Sequence, residues 1–193
     1  MTRPGTTRLL LYLAHAQGLV RRYFVVNGFD GALAMLGLLT GFRLSGHVGL
    51  AVVVAACVGT SVALGISGLT SAYLSESAER RRALSDLEQA MLTPLSDSEH
   101  GVAARLLPWL IALVNGAAPV AMALLIMIPL WLGLAGVPLP LAPLTLAIVV
   151  AFACIFGLGV FLGSVGGTHW LGSGLKALLI AVATVLIILL VGH

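Results

Sequence analysis

Beyond the flanking Arg21 and Arg22, the run from Val20 to Phe42 carries an aspartate, Asp30, near its middle, with Asn27 as the only other strongly polar group of an apolar segment. A helix needs about 20 apolar residues to cross the hydrocarbon of a bilayer, so this run suffices for one crossing and sets an acid at depth. There a carboxylate costs roughly 2.5–3.5 kcal/mol on insertion scales. Asp30 is therefore expected to face a bundle interior, a water-filled cavity or a bound cation rather than lipid. At helical spacing Asn27, Asp30, Ala34, Gly37 and Gly41 fall on one flank, and small residues there let another helix approach closely. The flank of Asn27, Gly31 and Ala34 is the candidate contact with a second copy. Asp30 has two readings, a working acid and a structural acid partnered by an arginine or a hydroxyl.

Further apolar runs follow. The chain is 60% hydrophobic and 9% charged with a mean hydropathy of +1.10, where a soluble domain carries about 25% charged residues. The reading is an all-α integral membrane protein forming one transmembrane domain of five spans, at about 20–42, 48–74, 102–132, 144–165 and 175–191. No proline occurs between Val48 and Leu92, so the second helix is expected to run about 67 Å at 1.5 Å per residue through a hydrocarbon layer of about 30 Å. Its excess, to residue 92, must leave the membrane. That part carries Glu76 with Arg80 and Arg82 with Asp86, pairs four residues apart that suit a solvated helix. Residues 93–101 form a short loop in which Thr93-Pro94 ends the helix and Asp97-Ser98-Glu99 opens the next. Residues 1–19 read as a basic leader with a short amphipathic helix on the membrane surface; the leader shows no cleavable-signal pattern.

Prolines 108, 119 and 129 interrupt the third span, each freeing a carbonyl that something must satisfy. Gly159, Gly163 and Gly167 form a doubled GxxxG repeat at the end of the fourth span, a spacing that brings helix backbones together. The aliphatic fifth span is expected to face lipid. Arg3, Arg8, Arg21, Arg22, the Arg80–Arg82 run, Arg105 and Lys176 lie on one side of the membrane in this topology, with Arg43 opposite. The positive-inside rule then puts the N-terminus and the helix extension in the cytoplasm and His193 on the far side. A cell inner membrane is the expected location. The net charge of +3 and pI near 9.3 come from these membrane-flanking arginines and indicate lipid rather than nucleic acid as partner.

Catalytic signatures such as GxSxG, HExxH, a Walker A loop or a strand-led GxGxxG are missing from the sequence, and the expectation is that the protein is not an enzyme. Cys57 and Cys154 lie inside spans and read as small hydrophobes. Met35, Met122 and Met127 read as packing, and the five histidines are scattered without metal-ligand spacing. The candidate metal ligands are Asp30 and Asn27 within the first span and Glu76 and Glu79 at the cytoplasmic mouth. Ser67, Thr70, Ser71 and Ser75 of the second span, with Asn115 of the third, could line a hydrated path, or the hydroxyls could serve as interhelical contacts. Hard oxygen ligands of this kind suit Mg, Ca and Mn.

Two segments resemble a known family. Asn27-Gly28-Phe29-Asp30-Gly31, running on to Gly37 and Gly41, looks like the first-span Asn-Asp-Gly element of the vacuolar iron transporter family, with a Phe inserted. Ser67-Gly68-Leu69-Thr70-Ser71-Ala72-Tyr73-Leu74-Ser75 is similar to the second-span motif Ser-Met-Ala-x-Gly-Glu-Tyr-Leu-Ser. The resemblance implies a homodimer of five-helix protomers that exports ferrous iron, manganese or related divalent ions from the cytoplasm in exchange for protons, with the metal as cargo and no resident cofactor. It carries Asp30 over, whereas the family's Met falls at Gly68, its Glu at Ala72, and its carboxylate-rich insert shrinks to 93–101. Those departures motivate the alternative, a transport-inactive relative acting as a membrane interaction or scaffold protein.

Overall fold

A computed structural model describes the backbone of residues 4–46, 48–96 and 98–192, and the side chains of 18 and 20–192 apart from positions 47, 97 and 99. Its elements are α1 (Pro4–Leu44), α2 (Leu50–Met91), α3 (Glu99–Leu134), α4 (Pro143–Val165) and α5 (Trp170–Val191). All five helices are long and apolar enough to cross a membrane, and the described residues contain no strand. The chain is an all-α membrane protein. The expected separate leader helix is instead the start of α1, which runs from Pro4 into the span without a break. Its amphipathic face and the placement of His193 lie outside the described residues.

The second helix spans 42 residues without interruption, through Ser71–Ser75, because neither proline nor a helix-breaking pair occurs within it. Leu92 then takes a positive φ of 51°. The loop is closed by the Leu95 amide, which donates to Glu88 Oε1 at 2.7 Å. Ser98 caps α3: its hydroxyl accepts from the Gly101 amide at 3.3 Å and donates to the Leu95 carbonyl at 2.6 Å. Asp97, part of the expected acidic start signal, lies outside the described residues. The three prolines do not break α3, which runs from Glu99 to Leu134 with Pro108, Pro119 and Pro129 all buried. Packing against neighbouring helices offsets the hydrogen bonds that these residues cannot donate.

The chain divides into two compact units, Met1–Phe24 with Gly65–Ala117, and Val25–Leu64 with Ala118–His193. In the first, Ala72, Ile111 and Ala112 are buried together, with Tyr23, Leu69 and Tyr73 packed against them. A Cβ built on Gly116 would fall 2.6 Å from the Gly65 carbonyl oxygen and 2.9 Å from Leu69 Cβ, so α2 and α3 touch backbone to backbone. In the second unit Met35, Leu36 and Leu39 of α1, Ile126, Met127 and Leu130 of α3, and Ala151 and Ile155 of α4 are fully buried. Gly159 and Gly163 of α4 press on Ser173, Gly174 and Ala177 of α5. The GxxxG pair therefore joins two helices of one chain. Gly167, the third member of the expected repeat, instead lies beyond α4 in the turn to α5, at a φ of +65° that favours glycine. The outward face of α5 is almost wholly aliphatic, with Leu175, Leu179, Ile180, Leu186, Ile187 and Leu190 exposed.

Candidate functional site

Asp30 lies on the outward stripe of α1, exposed in line with Val26 and Arg22 one and two turns earlier. Of the three expected surroundings, a bundle interior, a water-filled cavity or a bound cation, the first is not met within one protomer. The reason is the neighbouring glycine. A Cβ on Gly31 would fall 2.5 Å from Pro119 Cα and 2.7 Å from its carbonyl oxygen, so the Gly31 side of α1 is pressed onto α3 and the adjacent position is turned away. Gly31 is accordingly a contact within the chain and not part of a surface for a second copy. Gly28 is buried against Leu158 and Met122 on the same inward side, while Asn27 is half-buried and engaged and Ala34 is half-buried.

The positions where the sequence departs from the family motif are accounted for by packing. Asn115 is only 6% exposed and donates from Nδ2 to the Gly68 carbonyl at 2.7 Å. A Cβ on Gly68 would lie 3.0 Å from the Asn115 carbonyl oxygen and 3.3 Å from Nδ2. That same Asn115 carbonyl is the one deprived of its helical donor by Pro119, four residues on. A long side chain at position 68 would have to displace this contact. Ala72 sits at 7% exposure in the apolar cluster with Ile111 and Ala112, against which Tyr23, Leu69 and Tyr73 pack. Asn115 is thus a buried interhelical tie, which differs from its expected role as a path-lining group.

Glu76 and Glu79, expected to share a collecting face, are parted by the fold. Glu76 is buried at 7% exposure, accepting from the Tyr23 hydroxyl at 3.2 Å and pairing with Arg80 Nε at 3.4 Å, whereas Glu79 is exposed. A buried carboxylate needs such donors to offset lost hydration. Arg82 and Asp86, expected to pair like Glu76 and Arg80, are both exposed. The Tyr23 contact was not legible, since it links residues 53 positions apart; a tyrosine just inside the first span, facing the first acid after the second, is the signal that could have found it.

Ser67, Thr70, Ser71 and Ser75 are all exposed. They belong to a longer pattern: Ala51, Ala55, Gly59, Ala63, Ser67, Ser71 and Ser75 recur at every fourth position of α2, and every one of them is exposed. A lipid-facing helix presents large aliphatic residues, as α5 does, while a file of small ones makes room for another backbone. Cys57 is buried and Cys154 half-buried, while Met35, Met122 and Met127 are buried among apolar neighbours. Among the described residues no group of three or more His, Cys, Asp or Glu side chains is close enough to hold a metal ion. One chain thus offers an outward carboxylate within an apolar span, a buried one tied to tyrosine and arginine, and a small-residue face. The chain matches no protein-family model, no curated protein and no solved structure.

Proposed function

We propose that the protein is a homodimeric transporter that exports divalent cations of the Fe2+ and Mn2+ class from the cytoplasm, coupled to proton entry. The observation that carries the reading is the exposed Asp30 in the middle of an apolar span. Left against lipid it costs roughly 2.5–3.5 kcal/mol, and a second copy meeting the same face would remove that cost and bring two carboxylates together. Two carboxylates balance the charge of one divalent ion and present hard oxygen ligands. A proton and a metal ion then compete for the same oxygens, which suffices for exchange when the pair is open alternately to each side. The α2 file of small residues and the resemblance of the Asn27–Gly31 segment to the vacuolar iron transporter family support the dimer. The distribution of arginines supports a cytoplasmic N-terminus in the cell inner membrane.

The second reading, a membrane scaffold of the same fold without transport, is favoured by Gly68 and Ala72, where packing occupies the places of two family ligands. Vesicles loaded with a metal-sensitive dye and a pH dye separate the two. The transport reading expects Mn2+ or Fe2+ entry that alkalinises an acid-loaded lumen and is abolished in Asp30→Asn, a variant that keeps the shape of the side chain and the dimer but not the charge. Absence of flux in the unmutated protein, or full flux in Asp30→Asn, overturns it.

A further inference from the structure

A cavity of about 350 Å³ opens between α2 and α3, lined among others by Tyr73, Ser77, Arg81, Arg105, Pro108 and Trp109. Among the described residues its lining contains two arginines and no acid. Tyr73, Ser77 and Arg81 follow one another at four-residue intervals along α2, and Arg105 and Trp109 do so along α3. The two rings are in contact, with centroids 4.4 Å apart and planes tilted by 40°. At 1.5 Å per residue Arg81 lies about 12 Å beyond Tyr73 and Arg105 about 6 Å beyond Trp109. Because the helices run in opposite senses here, both arginines stand on the same side of the aromatic pair.

That pair also marks a chemical boundary. The apolar part of α2 ends at Leu74 and its first charge is Glu76, and on α3 the apolar run begins immediately after Arg105. Tyrosine and tryptophan favour such a boundary, where ring meets hydrocarbon and polar tip meets headgroups. Beyond it, towards the apolar end, Trp109 is 50% exposed and Leu113 is exposed one turn further on. Among the described residues Arg81 has no hydrogen-bond or ion-pair partner, and Arg105 uses one guanidinium nitrogen, on the Ser96 carbonyl at 3.2 Å, of the several donors its fork carries. Two guanidinium groups lining one cavity repel each other unless an anion lies between them, and guanidinium forks bind phosphate oxygens in pairs.

We infer that this cavity binds the phosphate of an anionic phospholipid, with Arg81 and Arg105 on the headgroup, the Tyr73 and Trp109 rings beneath it, and an acyl chain descending past Trp109 and Leu113. The shared chemistry is a phosphate group. The lipid source is favoured over free phosphate because the basic end of the cavity is continuous with an exposed apolar face at membrane depth. Basic pockets between membrane helices hold anionic headgroups in this way. The assignment does not depend on what the protein transports.

Trp131→Phe and Trp170→Phe together leave Trp109 as the single tryptophan reporter. In phosphatidylcholine vesicles, bromine-labelled phosphatidylglycerol is expected to quench it more strongly than the same mole fraction of bromine-labelled phosphatidylcholine. Two basic contacts correspond to local enrichment of about thirtyfold. Selectivity is expected to vanish in Arg81→Gln/Arg105→Gln and to survive in Arg81→Lys/Arg105→Lys. Should the double Gln variant fail to fold, the comparison of the two labelled lipids on the folded chain decides. Equal quenching by both lipids, or selectivity that survives the Gln pair, overturns the site. Loss of selectivity on adding millimolar inorganic phosphate, against chloride of equal ionic strength, assigns the pocket to free phosphate and overturns the lipid.

Discussion

Gly116→Ala tests the α2–α3 contact with a single methyl group. The added Cβ would lie 2.6 Å from the Gly65 carbonyl oxygen and 2.9 Å from Leu69 Cβ, while ordinary C···O and C···C contacts are about 3.3–3.6 Å and 3.5–4.0 Å. The obstructing atoms include backbone, which cannot rotate away, so the helices must part by roughly 0.7–1 Å. Overpacking of that kind costs about 1–3 kcal/mol. Parting also stretches the bond from Asn115 Nδ2 to the Gly68 carbonyl, now 2.7 Å, which adds a share of the roughly 0.5–1.5 kcal/mol such a bond contributes. The total is about 2–3 kcal/mol, or roughly 30- to 150-fold in the unfolding constant. Gly157→Ala on α4, where a built Cβ meets nothing within 4 Å, shares the same gain in helix propensity, so that term cancels in the difference. Gly68→Ala, at 3.0 Å from the Asn115 carbonyl oxygen, falls between them. The assay is reversible unfolding by SDS in mixed micelles, followed by circular dichroism. Equal stability of Gly116→Ala and Gly157→Ala would refute the close approach of the two backbones.

Ala72→Glu places a carboxylate inside the cluster of Ile111 and Ala112 and is expected to cost at least about 2–3 kcal/mol, seen as a lower unfolding midpoint; a variant that is as stable as the parent and binds Mn2+ in calorimetry overturns the apolar character assigned to that cluster. Gly59→Leu meets no atom of its own chain within 4 Å of the new Cβ and is expected not to destabilise the protomer, its helix propensity being higher than that of glycine, while weakening self-association roughly 5- to 150-fold. Cross-linking in vesicles across a dilution series measures this. A dimer that persists at the parent's dilution removes the small-residue file from the interface.

The number of spans and the unbroken second helix were legible, because hydrophobic length and the distribution of proline are local properties of a chain. The interruption expected in α3 was not realised, since the cost of a proline depends on what packs around the freed carbonyls, and Pro119 lies against the glycine of another helix. The facing of Asp30 was illegible for a related reason. Periodicity groups Asn27, Asp30 and Ala34 on a flank but cannot say which flank a third helix will cover, and the deciding contact, Gly31 on Pro119, joins residues far apart in the chain. The same holds for Glu76, whose burial depends on Tyr23. Reading Gly68 and Ala72 only as departures from a motif missed that each fills a packing role against α3.

The short turn at residues 166–169 between α4 and α5 has a bearing on biosynthesis. Gly163 meets Trp170 and Ser173, Gly159 meets Ser173, Gly174 and Ala177, and Gly174 meets Phe156 and Val160, so close contacts between the two helices begin at the bend and continue for about three turns. Closing so small a loop costs little chain entropy, and contacts between near neighbours form early. The last two spans can therefore zip from the bend outward as a hairpin while the chain is still leaving the ribosome, entering the bilayer as a unit without waiting for any earlier helix.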